Sequence, residues 1–221
     1  MQLKPSIGAS GYVTEAKAFH SAIHRIIEQR AAQVAERPAI VDGPQCITYK
    51  DLNLRANMLA RRLAESGLRR GSLALVRMPR GIDLATTLLA VLKAGASYAW
   101  IEPGSSADIE MPCSVSILRS RSSREEAYVA LNVEGALAEC ASRTTSNLPV
   151  LTRGSDVACV LLSEQGKPHI LVPHETIAAL PQTSAHEVMW HNAAGALDLW
   201  LALMSGATMS VMTPVPKSAA A

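Results

Sequence analysis

Gly166 and Lys167 stand in a short polar loop, Ser163-Glu164-Gln165-Gly166-Lys167-Pro168-His169, between the apolar runs Val160 to Leu162 and Ile170 to Val172. Strand, glycine-and-lysine loop, strand is the outline of a phosphate-holding turn. Glycine lets backbone N–H groups close around an anion, and lysine adds positive charge. The same Gly-Lys-Pro tripeptide also serves as an ordinary turn with a surface lysine. Gly166 and Lys167 are therefore the candidate cofactor-binding residues, read as the remnant of such a loop.

Other reactive side chains fall into no pattern. His20 and His24 are spaced one helical turn apart, which suits a metal, but no Glu follows His20 and no third ligand is indicated. Both are expected on a helix surface. His174, His186 and His191 precede or flank expected helices without a nucleophile and carboxylate at recognisable spacing, and Ser163 and the cysteines lack a partner base. No catalytic residue and no metal site is assigned. Cys46, Cys113, Cys140 and Cys159 form no CxxC pair, so reduced thiols in the cytoplasm are the expectation.

The elements that must position the loop follow from periodicity. Phe19, Ile23, Ile26, Ile27 and Val34 line one helix face, with Arg25, Glu28 and Arg30 off it. Ala39 to Val41 and Cys46 to Thr48 read as a hairpin across Asp42-Gly43. Thr48 is placed to cap a second helix, with Asp51 near its positive end and a stripe of Leu52, Ala56, Leu59, Ala60 and Leu63 running to Gly67. Then come a strand over 73–78, a helix over 82–94 closed by Gly95, and a strand over 97–101. Residues 104–156 are loosely patterned, with a strand expected over 114–118 and a helix over 133–141. Strands over 157–162 and 170–172, a helix from about Glu175, a helix over 193–205 and a strand over 208–212 complete the order. Strands alternating with helices predict an α/β fold with largely parallel sheets and flanking helices.

Composition narrows the function. Twenty-one Lys and Arg against nineteen Asp and Glu leave a net charge of +2, without the one-sided basic field that nucleic-acid binding needs. The clusters Arg61, Arg62, Arg69, Arg70 and Arg119, Arg121, Arg124 are read as solvated surface. No apolar run approaches the length of a bilayer span, and the first residues lack the pattern of a secretory signal. Neither nucleic acid nor membrane is an expected partner.

Three stretches at suitable intervals then resemble one family. Ile47-Thr48-Tyr49-Lys50-Asp51-Leu52, Leu92-Lys93-Ala94-Gly95-Ala96-Ser97-Tyr98, and the Gly-Lys-Pro region with Val172-Pro173-His174 are similar to the first three core motifs of the adenylation domains of nonribosomal peptide synthetases, within the acyl-adenylate-forming superfamily. Residues 196–212 resemble the helix and strand after the substrate-contacting segment of those domains. The resemblance covers about Phe19 to Met212 and implies the N-terminal part of the large subdomain, the family's domain being roughly twice this length. The expected organisation is an extension over 1–17, a truncated adenylation-like domain over 18–215 and a tail over 216–221. Within the domain, 18–103, 104–156 and 157–215 are its first part, connection and second part.

The resemblance also defines what is altered. The family's loop is rich in Ser, Thr and Gly and ends in Gly-Lys-Pro-Lys-Gly; here it is shorter, Glu164 brings a carboxylate toward the phosphates, and His169 and Ile170 replace the last Lys and Gly. Each lost charged hydrogen bond is worth about 1.5–3 kcal/mol, so several together remove useful ATP affinity. Ala193 stands where amino-acid-activating members carry the Asp that holds the substrate ammonium. The resulting expectation is a catalytically inactive module for structure or protein interaction, without cofactor, partnered by a peptide-synthetase protein or by a second copy. The alternative is half of a split adenylating ligase, using ATP and Mg²⁺, completed by another chain.

Overall fold

A computed structural model describes residues 22–103, 115–118, 130–132, 144–149, 152–163, 166–190 and 196–211. Helix α1 spans Ile23–Gln33 and is followed by the hairpin β1 (Pro38–Asp42) and β2 (Gln45–Thr48), turned at Gly43 with φ 58°. Helix α2 (Tyr49–Glu65) starts where the sequence places it. Thr48 Oγ1 accepts from the Asp51 N–H at 3.1 Å and donates to the Asp51 carboxylate at 3.0 Å. This reciprocal cap satisfies a donor that the helix cannot. The expected stripe, Leu52, Ala56, Leu59, Ala60 and Leu63, is wholly buried.

Strand β3 (Leu73–Arg77), helix α3 (Ile82–Lys93) and strand β4 (Ser97–Ile101) form a parallel crossover unit in register from Leu73 opposite Ser97 to Arg77 opposite Ile101. Every residue of α3 except Asp83 is buried. A helix that is apolar all round must be covered all round, and α3 touches both β1 and β4, which belong to different sheets.

Strands β5 (Val115–Leu118), β6 (Ala130–Asn132), β7 (Val157–Leu162) and β8 (Pro168–Pro173) join β3 and β4 in a six-stranded sheet of order β6-β5-β3-β4-β7-β8. All its pairs are parallel except the antiparallel β7–β8 hairpin. Helix α4 (His174–Ala178), strand β9 (Glu187–Trp190), helix α5 (Leu197–Ser205) and strand β10 (Thr208–Val211) follow. The second sheet runs β2-β1-β10-β9, with β1, β10 and β9 parallel. Its inward residues Ile40 and Met209, the helices, and Val76 and Tyr98 of the larger sheet share one core. Leu75, Ala99, Ile101 and Val160 form a smaller apolar cluster on that sheet's far face.

The α/β expectation with mainly parallel sheets is therefore met. Strands β6 and β9 were not anticipated, and His186 precedes β9 rather than a helix. The helix expected over 133–141 lies outside the described residues, as do residues 19–21 and 193–195 of two other expected helices.

Side chains from early in the chain close the end of α5. Gly206 takes φ 79°, and the carbonyls on either side of the helix end accept from distant donors: Met204 O from Arg30 Nε at 3.0 Å, Gly206 O from Arg37 Nη1 at 3.0 Å, and Ala207 O from the Tyr49 hydroxyl at 2.7 Å. Tyr49→Phe keeps the ring and removes one buried bond, so urea unfolding is expected to register a loss of about 1 kcal/mol.

Candidate functional site

The structure turns the candidate phosphate loop into a tight hairpin between β7 and β8. The Ser163 N–H donates to Lys167 O at 2.9 Å, the Gly166 N–H to Ser163 O at 2.9 Å and the Lys167 N–H to Ser163 Oγ at 3.3 Å. Gly166 adopts φ 76°, the conformation that lets the turn close. The N–H groups of Ser163, Gly166 and Lys167 are thus spent inside the turn, the last of them on the Ser163 hydroxyl oxygen. The Lys167 and His169 side chains are exposed. Glu164 and Gln165, like Ala193, lie outside the described residues.

The other two motifs prove to be devices for packing. In the Leu92–Tyr98 stretch, Lys93 is fully enclosed and its ammonium contacts Glu28 Oε1, while Glu28 Oε2 accepts from Arg25 Nη1 at 2.7 Å. Burial draws the Lys93 ammonium down to about 8, against the opposing pull of Glu28. Gly95 closes α3 with φ 81°. Tyr98 is buried, and its hydroxyl accepts from Trp200 Nε1 at 2.6 Å. In the Ile47–Leu52 stretch, Thr48 and Asp51 cap α2 and Tyr49 braces α5.

Two expectations for α1 are corrected. His24 is buried, not on the surface, and packs edge to face on His174 with ring centroids 5.9 Å apart. Glu28, expected on the polar side, is buried because Lys93 reaches it from α3. His174 Nδ1 accepts the Ile23 N–H at 3.3 Å and so caps α1, whose own preceding residue, Ala22, offers no side-chain acceptor. Burial holds His174 down at about 4; burial, then the neighbouring His174, Lys93 and Arg25 charges, hold His24 well below its usual value. His20 lies outside the described residues.

Arg61 and Arg70, read as solvated surface, act as tethers. Arg61 Nη2 donates to Ser146 O at 2.8 Å, and Asn57 Nδ2 holds the same segment through Thr145 O at 2.7 Å. Arg70 grips Asp156 through two bonds of 2.8 Å, which hold that carboxyl below its ordinary value. Cys46 is exposed, whereas Cys159 is buried with its thiol pushed up to about 11 by burial. Among the described residues, no three His, Cys, Asp or Glu side chains gather to hold a metal, and no helix is long and apolar enough to cross a membrane.

Comparison with known proteins finds relatives of one kind. The profile of the AMP-binding enzyme family matches residues 27–111. Bacitracin synthase 1 of Bacillus licheniformis is 29% identical over 163 residues, which are 71% of this chain and 3% of that protein. Malpibaldin synthetase of Mortierella alpina is 42% identical over 89 residues, 40% of this chain and 2% of that protein. An artificially fused adenylation and PCP di-domain, NpsA-ThdA of Klebsiella oxytoca, superposes with a TM-score of 0.77 at 23% identity, covering 88% of this chain and 40% of that one. The chain thus spans only a few per cent of the curated relatives it matches, 2% and 3% in these two.

Proposed function

We propose, for a chain that belongs with the adenylation domains of nonribosomal peptide synthetases and spans the N-terminal part of their fold, a non-catalytic role as a structural or protein-interaction module in peptide natural-product assembly. The closed hairpin at residues 163–167 carries this reading. A phosphate-holding loop has to keep N–H groups free for the anion, and here the N–H groups of Ser163, Gly166 and Lys167 bond within the turn. The chain retains the motif residues that pack the fold and has altered those that would meet phosphate. In this reading residues 18–215 are the adenylation-like domain, and Gly166 and Lys167 are the residue of its nucleotide loop.

Calorimetric titration with ATP and Mg²⁺ tests the reading. The expected result is no saturable heat, with wild type and Lys167→Ala superimposable. Saturable binding that disappears in Lys167→Ala would overturn it and favour the split-ligase alternative, in which a partner chain supplies the rest of the active site.

A further inference from the structure

The six-stranded sheet ends at β8, and no described strand pairs with its outer edge. A free edge offers unpaired N–H and C=O groups to another strand. β8 also carries the two most exposed large apolar side chains among the described residues, Ile170 at 47% and Leu171 at 62%. Leu171 lies opposite Val160 across the β7–β8 pair, and both line a groove of about 660 Å³ with Leu73 and Val157. An apolar strip therefore runs across the sheet's far face and stops, uncovered, at β8.

We propose that β8 pairs antiparallel with β8 of a second copy of this chain, about a twofold axis through Leu171. Symmetry limits the registers. Two identical antiparallel edge strands that continue one sheet are related by an axis perpendicular to it, located where a residue faces its own copy. Pro168 and Pro173 leave His169, Ile170, Leu171 and Val172 as the stretch able to donate, since proline has no N–H. Charge chooses among these registers. Lys167 immediately precedes β8 and Glu175 stands in the first turn of α4 just after it, each four residues from Leu171, so the Leu171-centred register brings each Lys167 to the end of the strand pair where Glu175 of the second copy begins its helix. Centred on Ile170, Lys167 meets Pro173 instead. Both charged side chains are exposed, and neither enters an ion pair among the described residues. The same register brings Leu171 against Leu171 and carries the apolar strip from one sheet into the next.

This interface gives the interaction reading a surface, and the two fail separately: ATP binding leaves the interface standing, and a monomer leaves the non-catalytic reading standing. Sedimentation equilibrium of the whole chain, from micromolar to submillimolar concentration, is expected to show a monomer–dimer equilibrium. Leu171→Lys places two like charges on the axis and raises the dimer dissociation constant roughly tenfold or more. Lys167→Glu and Glu175→Lys each weaken the dimer, and the two together restore it. With Cys46, Cys113 and Cys140 replaced by Ser, leaving only the buried Cys159, Leu171→Cys oxidises to a linked dimer, because opposed Cα atoms about 4.5–5.5 Å apart suit a disulfide. A monomer at every concentration, or a dimer indifferent to Leu171→Lys, overturns the proposal.

Discussion

Replacing Lys93 with Met is expected to remove about 3–5 kcal/mol of folding stability, a large share of the about 5–15 kcal/mol that holds a typical protein together. The reason is what stays behind. Glu28 is 6% exposed, and without the ammonium it keeps only the Arg25 contact, made by a side chain that is itself one-third exposed. A buried carboxylate left so poorly paired carries an uncompensated desolvation cost. Glu28→Leu strands the Lys93 ammonium in the same way and should cost a similar amount. The double variant Glu28→Leu with Lys93→Met removes both charges, releases Arg25 toward solvent and should recover most of the loss. Urea unfolding of all four proteins gives the coupling directly. Additive losses, or a Lys93→Met cost below about 1 kcal/mol, would mean that α1 and α3 are held by apolar packing alone.

The pair also shows where a sequence can be read and where it cannot. The start of α2 was legible because Thr48 and Asp51 cap it from within one turn of chain, and the end of α3 because Gly95 adjoins it. The stripe from Leu52 to Leu63 was legible because periodicity records burial on a single helix face. Glu28 and His24 were misassigned because their partners are distant: Lys93 is 65 residues from Glu28, and His174 is 151 residues from Ile23, the first residue of the helix it caps. No local pattern announces such a partner. Strand β9, with Val188 and Trp190 turned inward and Glu187 and Met189 exposed, is too short for its alternation to stand out. At the loop, strand-turn-strand was plain from composition. That Ser163, Gly166 and Lys167 spend their N–H groups on one another depends on the register of β7 against β8, which only the folded chain supplies.

The His24–His174 pair makes stability depend on pH, and the sign follows from burial. In the unfolded chain each imidazole takes a proton near pH 6.5. In the native protein His174 stays neutral down to about 4, and His24 is held lower than its ordinary value as well. Below pH 6.5 the unfolded state therefore binds more protons than the native state, and stability falls as the pH falls; above 6.5 the pair contributes no slope. Each histidine adds up to about 1.4 kcal/mol per pH unit, so His174 alone accounts for a loss of about 3 kcal/mol between pH 6.5 and 4. Protonation also has a structural target. A proton on His174 Nδ1 removes the acceptor of the Ile23 N–H and places a cation against His24, in a cluster that already holds Lys93 and Arg25, with Asp156 the facing carboxylate. Asp156 itself, held low by Arg70, loses its contribution only below about pH 3.8, outside this window. His174→Asn keeps an acceptor near the Nδ1 position and cannot titrate. It should flatten the pH dependence of urea unfolding by one proton while leaving α1 capped, and adding His24→Asn should flatten it by a second. If wild type and both variants lose stability in parallel from pH 6.5 to 4, the acid sensitivity lies elsewhere and the pair does not govern it.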